Sequence, residues 1–135
     1  MKICIVISTY YPKISKDLFL GAINILNKER VKNFKKIYAP GIFEIPVIIA
    51  KNANSFDGFI ALGCVIKGQT PHFEFISRST INSLSHLSIV YKKPIGNGII
   101  TCLNKKQALV RSNPNKKDKG GEAAKAIFSV LKIKK

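Results

Sequence analysis

The sequence predicts an α/β domain in three layers, with a four-stranded parallel sheet between two layers of helices. Apolar runs of strand length alternate along the chain with segments whose apolar residues recur every three or four positions. Residues 59–66 form a nearly continuous apolar run bounded by Gly58 and Gly68, as expected of a strand that is covered on both faces. With 135 residues, 46% of them hydrophobic, the chain has enough apolar material for one domain over residues 1–135.

The first half of the chain predicts two strands and two helices. Residues 2–8 form the first predicted strand, an apolar run that ends in small polar residues, and Ser15 is the predicted N-cap of the helix that follows. Residues 36–39 are the predicted second strand. After a turn at Pro40, residues 42–46 lead into a helix that ends near Ala53. Apolar side chains recur with helical period along the first helix at Leu18, Phe19, Ala22, Ile23 and Leu26.

The second half predicts two further strands and three helices. The strand at 59–66 is followed by a long helix that begins at His72 and ends before Lys92. Residues 95–102 are the fourth strand, residues 105–111 a short helix, residues 112–119 a loop rich in helix breakers, and residues 120–132 the last helix. The positions of the last helix predicted to face inward are Ala123, Ala124, Ile127, Val130 and Leu131.

The formal net charge of +16 raises the possibility of nucleic-acid binding. However, the lysines are scattered in doublets, and aromatic residues do not alternate with them as they would in a stacking platform. Nucleic-acid binding is therefore an unfavoured interpretation, although a positive field would still attract phosphorylated substrates.

The three cysteines predict no disulfide framework and no metal site. Cys4, Cys64 and Cys102 lie in or beside apolar runs, without the spacing of metal ligands, and their number is odd. Buried reduced thiols are typical of a cytosolic protein. No apolar run reaches the roughly 18 residues of a membrane helix, and the start of the chain lacks the pattern of a signal peptide. We therefore expect a cytoplasmic location and no membrane partner.

Polar residues follow the predicted central strand at its carboxyl end, where open α/β sheets bind their ligands. Gly68 would let backbone approach a ligand closely, and the amides near the helix start suit an anion. His72 begins the helix and is placed to transfer protons at neutral pH. The alternatives are an ordinary turn and a histidine that is structural or merely exposed.

Two motifs resemble one enzyme family. ALGCVIKGQTPHFEF at residues 61–75 and PGIFEIP at residues 40–46 resemble the 6,7-dimethyl-8-ribityllumazine synthases of riboflavin biosynthesis, and the likeness runs from Lys2 to the last helix. The resemblance implies a flavodoxin-like three-layer fold. It also implies a transferase that condenses 5-amino-6-(D-ribitylamino)uracil with 3,4-dihydroxy-2-butanone 4-phosphate, without metal or cofactor. His72 occupies the position of the family's proton-transfer histidine.

The resemblance also implies two sets of binding residues. The residues implied for the uracil and ribityl groups are Tyr10, Ile42, Phe43, Glu44, Cys64, Val65, Ile66 and Asn97. Those implied for phosphate are Gln69, Thr70, Arg111 and Lys119. Without the family match, the aromatic residues fit a core, Glu44 fits a carboxylate favoured at a helix start, and Arg111 fits a solvated cation.

The family pattern implies a homo-oligomer, a pentamer that sometimes packs further into an icosahedral 60-mer, with sites shared between subunits. Arg111 would reach phosphate from the neighbouring subunit. Asn97 stands where the family usually has an aromatic residue that covers the uracil ring across the subunit boundary, and Tyr11-Pro12 replaces more polar residues. Two alternatives remain open: a non-catalytic basic module that binds RNA or another polyanion, and a shell-forming relative that has lost activity.

Overall fold

A computed structural model describes residues 1–135 and contains one sheet of four parallel strands in the order β2-β1-β3-β4. Its strands are β1 (Ile3–Ser8), β2 (Phe34–Ala39), β3 (Gly58–Ile66) and β4 (Ile95–Cys102). Its helices are α1 (Pro12–Lys28), α2 (Ile45–Asn52), α3 (His72–Tyr91), α4 (Lys105–Ser112) and α5 (Lys119–Leu131), with a 3-10 turn at Ile42–Glu44 before α2. The predicted three-layer α/β fold is confirmed.

Both faces of the sheet are covered, which explains the continuous apolar runs. Because successive side chains of a strand point to opposite faces, Ile5 of β1 packs in the cluster formed with α1 and α5, whereas Val6 packs in the cluster formed with α2 and α3. Leu18 and Ile127 belong to the first cluster. Every residue of β1 is buried, as expected of an interior strand that has neighbours on both sides.

The helix α1 begins earlier than predicted. Pro12 occupies the first helical position, where its missing amide proton costs nothing, and the N-cap is Tyr11, which makes no side-chain capping bond. Ser15 therefore lies inside the first turn and is not the N-cap.

Two further predictions need correction. The strand β2 begins at Phe34, two residues before the predicted start. Val130 of α5 is 50% exposed and does not face inward, because the buried face of that helix is formed by Ala123, Ala124 and Ile127. None of the helices combines the length and the apolar character needed to cross a membrane.

Candidate active site

A cleft of about 410 Å³ lies at the carboxyl edge of the sheet, above the ends of β1 and β3. It is lined by three segments that are distant in sequence. They are the loop after β1, the 3-10 turn after β2, and the end of β3 with the start of α3. The lining residues are Ser8, Tyr10, Tyr11, Gly41, Ile42, Phe43, Glu44, Cys64, Val65, Ile66, Gly68, Thr70, His72, Phe73 and Ile76. Parallel strands bring these segments together because their carboxyl ends meet at one edge.

The loop after β1 contributes two tyrosines to the cleft. Tyr10 is 74% exposed, whereas Tyr11 is half-buried and packs against the core cluster beneath it. The two rings form an edge-to-face pair, with centroids 5.0 Å apart and planes at 75°. This arrangement leaves the Tyr10 ring available to a flat molecule in the cleft.

The 3-10 turn provides a second aromatic residue and a carboxylate. Ile42 is buried and anchors the turn on β3, where a Cβ on Gly63 would lie 2.7 Å from the Ile42 Cγ2 atom. Since Gly63 leaves this space open, the turn lies close to the sheet. Phe43, 58% exposed, and Glu44, half-buried, then line the cleft.

The end of β3 supplies the third side. Cys64, Val65 and Ile66 line the cleft as the strand leaves the sheet, and Gly68 and Thr70 follow. Where a strand ends, backbone N–H and C=O groups that lie past the last hydrogen bond to a neighbouring strand can hydrogen-bond a ligand.

The turn between β3 and α3 also borders a smaller hollow of about 180 Å³. Gly68 and Thr70 line both the hollow and the cleft, and Lys67 and Gln69 line the hollow. The hollow lies at the N-terminus of α3, where the first amides of a helix favour an anion; the Glu74 amide already donates to the Pro71 carbonyl at 3.0 Å. Glu74, in the first turn of α3, adds a negative charge beside the hollow, which disfavours an anion there.

His72 is the first residue of α3 and lines the cleft. It is exposed, so its imidazole is accessible to a bound molecule. Tyr10, Phe43 and His72 thus border one cavity, although they come from three separate connections. The other histidine, His86, is exposed in the middle of α3 and lies outside this cleft.

The thiols near the cleft are buried and neutral. Burial, and secondarily the neighbouring Cys102, raises the pKa of Cys64 to about 12. The pKa of Cys102 is also raised by burial, against a lowering by the positive charge of Arg111. Burial, together with Cys64 and Tyr10, raises the pKa of the Tyr11 phenol. Because a thiolate is the nucleophilic form of cysteine, neither thiol is suited to covalent catalysis at neutral pH.

Comparison with known proteins identifies the family. The family model of 6,7-dimethyl-8-ribityllumazine synthase matches residues 1–135. The protein of that name from Bartonella tribocorum is 40% identical over 136 residues, covering 98% of this chain and 89% of the relative. The corresponding protein of Bartonella bacilliformis is 41% identical over 135 residues, covering 97% and 88%. That of Buchnera aphidicola subsp. Acyrthosiphon pisum is 40% identical over 138 residues, covering 98% and 86%.

The chain belongs to the 6,7-dimethyl-8-ribityllumazine synthase family. This confirms the resemblance in the two sequence motifs, and with it the assignment to an enzyme family of riboflavin biosynthesis.

Four of the residues that the lumazine synthase resemblance implied do not line the cleft of the single chain. Gln69 lines the adjoining hollow, and the other three lie further away on β4, α4 and α5. Asn97 is exposed on β4, and its side-chain oxygen accepts a hydrogen bond from the Ile99 amide at 3.1 Å. Arg111 is half-buried in the last turn of α4. Lys119, at the start of α5, forms an ion pair with Glu122 at 2.9 Å. The single chain therefore provides the aromatic side chains, the histidine and the turn at Gly68, but not Asn97, Arg111 or Lys119.

The cleft also contains residues that the sequence did not single out as site residues. They are Ser8, Tyr11, Gly41, Phe73 and Ile76, in addition to Gly68 of the predicted anion loop. All of them except Ile76 lie within two positions of a residue that was predicted, and Ile76 lies one helical turn after His72. Proximity to a strand end was therefore the available signal for most of them.

Proposed function

We propose that this cleft condenses 5-amino-6-(D-ribitylamino)uracil with 3,4-dihydroxy-2-butanone 4-phosphate. The products are 6,7-dimethyl-8-ribityllumazine, phosphate and water. The observation that carries the proposal is the convergence of two exposed aromatic rings, an imidazole and the turn at Gly68 at one sheet edge, in a chain of the lumazine synthase family.

The aromatic side of the cleft holds the pyrimidine substrate. Tyr10 and Phe43 present large exposed rings, which supply contact area to a flat heterocycle at little entropic cost. The backbone at residues 64–66 binds the polar edge of the uracil, and Ile42 forms part of the wall. Glu44 accepts hydrogen bonds from ribityl hydroxyls, as a carboxylate can.

The turn between β3 and α3 holds the phosphate of the second substrate. Thr70 donates its hydroxyl, and the Gln69 amide and the first amides of α3 donate from the backbone. Lys67 adds a positive charge beside them. The phosphate therefore lies next to His72, which begins the same helix.

The reaction needs positioned substrates and proton transfer. The exocyclic amine of the pyrimidine attacks the ketone to form an imine with loss of water. Phosphate is then eliminated, the ring closes through the ribitylamino nitrogen, and a second water leaves. His72 is the acid and base for these steps. Holding both substrates in one cleft supplies much of the rate enhancement, and none of the steps requires a redox cofactor or a metal.

The active assembly is a homo-oligomer whose subunits share their sites. Support comes from Asn97, Arg111 and Lys119, which the family pattern assigns to the site but which lie outside the cleft of one chain. A groove of about 310 Å³ between α2 and α3 begins at Phe43 and Glu44, so the cleft opens onto a surface that a neighbour can cover. The proposed assembly is a cytoplasmic pentamer, which can pack further into an icosahedral 60-mer.

Two measurements test the proposal. Purified protein incubated with both substrates should release phosphate and the lumazine in equal amounts. Sedimentation should show a species several times heavier than the 15.0 kDa chain. Absence of product, together with salt-sensitive binding of RNA, would overturn the proposal in favour of a polyanion-binding module. A catalytically active species of 15 kDa would overturn only the proposal that subunits share their sites, and the proposed reaction would stand.

A further inference from the structure

The side chain of a buried serine, Ser15, hydrogen-bonds to both ends of the loop that contains Tyr10. Ser15 is 2% exposed and lies in the first turns of α1. Its hydroxyl lies 2.7 Å from the carbonyl oxygen of Ser8, the last residue of β1. It also lies 2.9 Å from the carbonyl oxygen of Tyr11, the residue before α1. These two carbonyls lie at the start and at the end of the connection between β1 and α1, which contributes Tyr10 to the cleft.

This hydroxyl has no role in capping the helix. A capping serine accepts a hydrogen bond from a backbone amide, whereas the Ser15 hydroxyl donates to backbone carbonyls. The helical bond at this position is already made, because the Ser15 amide donates to the Tyr11 carbonyl at 2.9 Å. The single hydroxyl proton is shared between two acceptors, one on the strand and one on the loop. Of these two hydrogen bonds, the one to the Ser8 carbonyl connects α1 to β1.

Tyr10 depends on this loop for its orientation. Its ring is 74% exposed, so burial does little to fix it. Its aromatic neighbour is Tyr11, at 5.0 Å in an edge-to-face contact. The direction of the Tyr10 ring therefore follows from the backbone of residues 9–11 and from the contact with Tyr11, and the Ser15 hydroxyl bonds to both ends of that backbone.

We propose that Ser15 is a positioning residue for the pyrimidine substrate. It fixes the connection between β1 and α1 so that the Tyr10 ring stands over the cleft in the orientation that stacking requires. It does not line the cleft and does not touch either substrate. The proposal rests on the proposed function, because the ligand of the Tyr10 ring is the pyrimidine.

The test compares Ser15→Ala with Ser15→Thr and with a matched control. Ser77 is also a buried serine, on α3, but its hydroxyl has no hydrogen-bond partner, so Ser77→Ala removes an oxygen without removing a contact. The measurements are kcat, the KM of each substrate, and the melting temperature. Ser15→Cys is assayed in parallel, since a thiol fills a similar space but is a weak donor.

Ser15→Ala and Ser15→Cys should raise the KM of the pyrimidine about fivefold, the factor for one ordinary hydrogen bond. The KM of the phosphorylated substrate should stay within about twofold, because the phosphate turn is not linked to this hydroxyl. Ser15→Thr, which keeps the hydroxyl, should restore the pyrimidine KM, and Ser77→Ala should match the wild type.

Unchanged pyrimidine KM in both the alanine and cysteine variants would overturn the proposal. So would an equal rise in both KM values, which would indicate a general loss of structure. Failure of the proposed function is distinguishable, because wild-type protein would then form no lumazine at all.

Discussion

Replacing Tyr10 by alanine should weaken binding of the pyrimidine substrate while leaving the fold almost unchanged. The ring is 74% exposed, so its removal exposes little new apolar surface. We therefore expect the free energy of unfolding to change by no more than about 0.5 kcal/mol, as for other surface substitutions. The loss should appear in binding, where the ring stacks on the substrate.

The size of the binding loss follows from the surroundings of the ring. Stacking of a base on an aromatic side chain is worth about 1–3 kcal/mol. Asn97 supplies no second ring to cover the other face of the uracil, which favours the lower part of this range. A loss of about 1–2 kcal/mol corresponds to a Kd raised roughly 5- to 30-fold.

Isothermal titration calorimetry with the pyrimidine substrate measures this change directly. The matched control is Tyr38→Ala, because Tyr38 is 59% exposed on β2 and does not line the cleft. Tyr38→Ala should leave the Kd within about twofold, as expected of a site remote from the ligand. An unchanged Kd in Tyr10→Ala, or the same rise in both variants, would refute the stacking role of Tyr10.

Three further predictions concern the histidine, the thiols and the subunit boundary. His72→Ala should lower kcat by about a hundredfold if it is the proton-transfer group, whereas His86→Ala, at the other exposed histidine, should match the wild type in the same assay. The folded chain raises the pKa of Cys64 to about 12 from an ordinary value of 9.0, so the unfolded chain loses this proton first as pH rises. Buried neutral Cys64 therefore stabilises the fold fully below pH 9 and progressively less above it. Urea denaturation measures the free energy of unfolding of the wild type and of Cys64→Ala at each pH. The difference between the two should fall between pH 9 and 11, and a difference that stays constant would contradict the raised pKa of Cys64. Asn97→Phe should lower the KM of the pyrimidine about 5-fold, since a stacked aromatic ring adds at least about 1 kcal/mol. An unchanged KM would contradict a site shared across the subunit boundary.

The sheet was predictable because its strands are covered on both faces. β4 was predicted with the bounds that the structure shows, Ile95–Cys102, although Gly96, Asn97 and Gly98 interrupt its apolar residues. β2 was predicted to start two residues too late, because it is an edge strand in which two adjacent lysines, Lys35 and Lys36, interrupt the apolar residues. Its first residue, Phe34, packs against Phe19 with ring centroids 6.1 Å apart, a contact that no local pattern shows.

The helix boundaries show a similar limit. Ser15 looked like an N-cap because a serine precedes the apolar stripe of α1. Pro12 starts the helix earlier, and the serine hydroxyl turns back to β1 instead. A capping serine and a serine that bonds across a connection have the same local sequence, so only the tertiary structure distinguishes them.

The sequence predicted those parts of the cleft where polar residues follow the end of an apolar strand. His72 and Gly68 were recognised in this way, whereas Thr70 and Glu44 were implied by the resemblance to the family. All four line the cleft. Tyr11 and Ile76 were not recognised, because a half-buried apolar side chain near a cleft has the same sequence pattern as a core residue. The single chain does not bring Arg111, Lys119 or Asn97 to the cleft, so their assignment depends on the proposed neighbouring subunit.

A structure with a bound pyrimidine analogue and inorganic phosphate tests the central claim most directly. The account predicts the pyrimidine ring stacked on Tyr10 and in contact with the wall formed by Phe43, with the phosphate on the turn at residues 68–70 and within reach of the His72 imidazole. A pyrimidine bound elsewhere on the chain, with this cleft unoccupied, would contradict it.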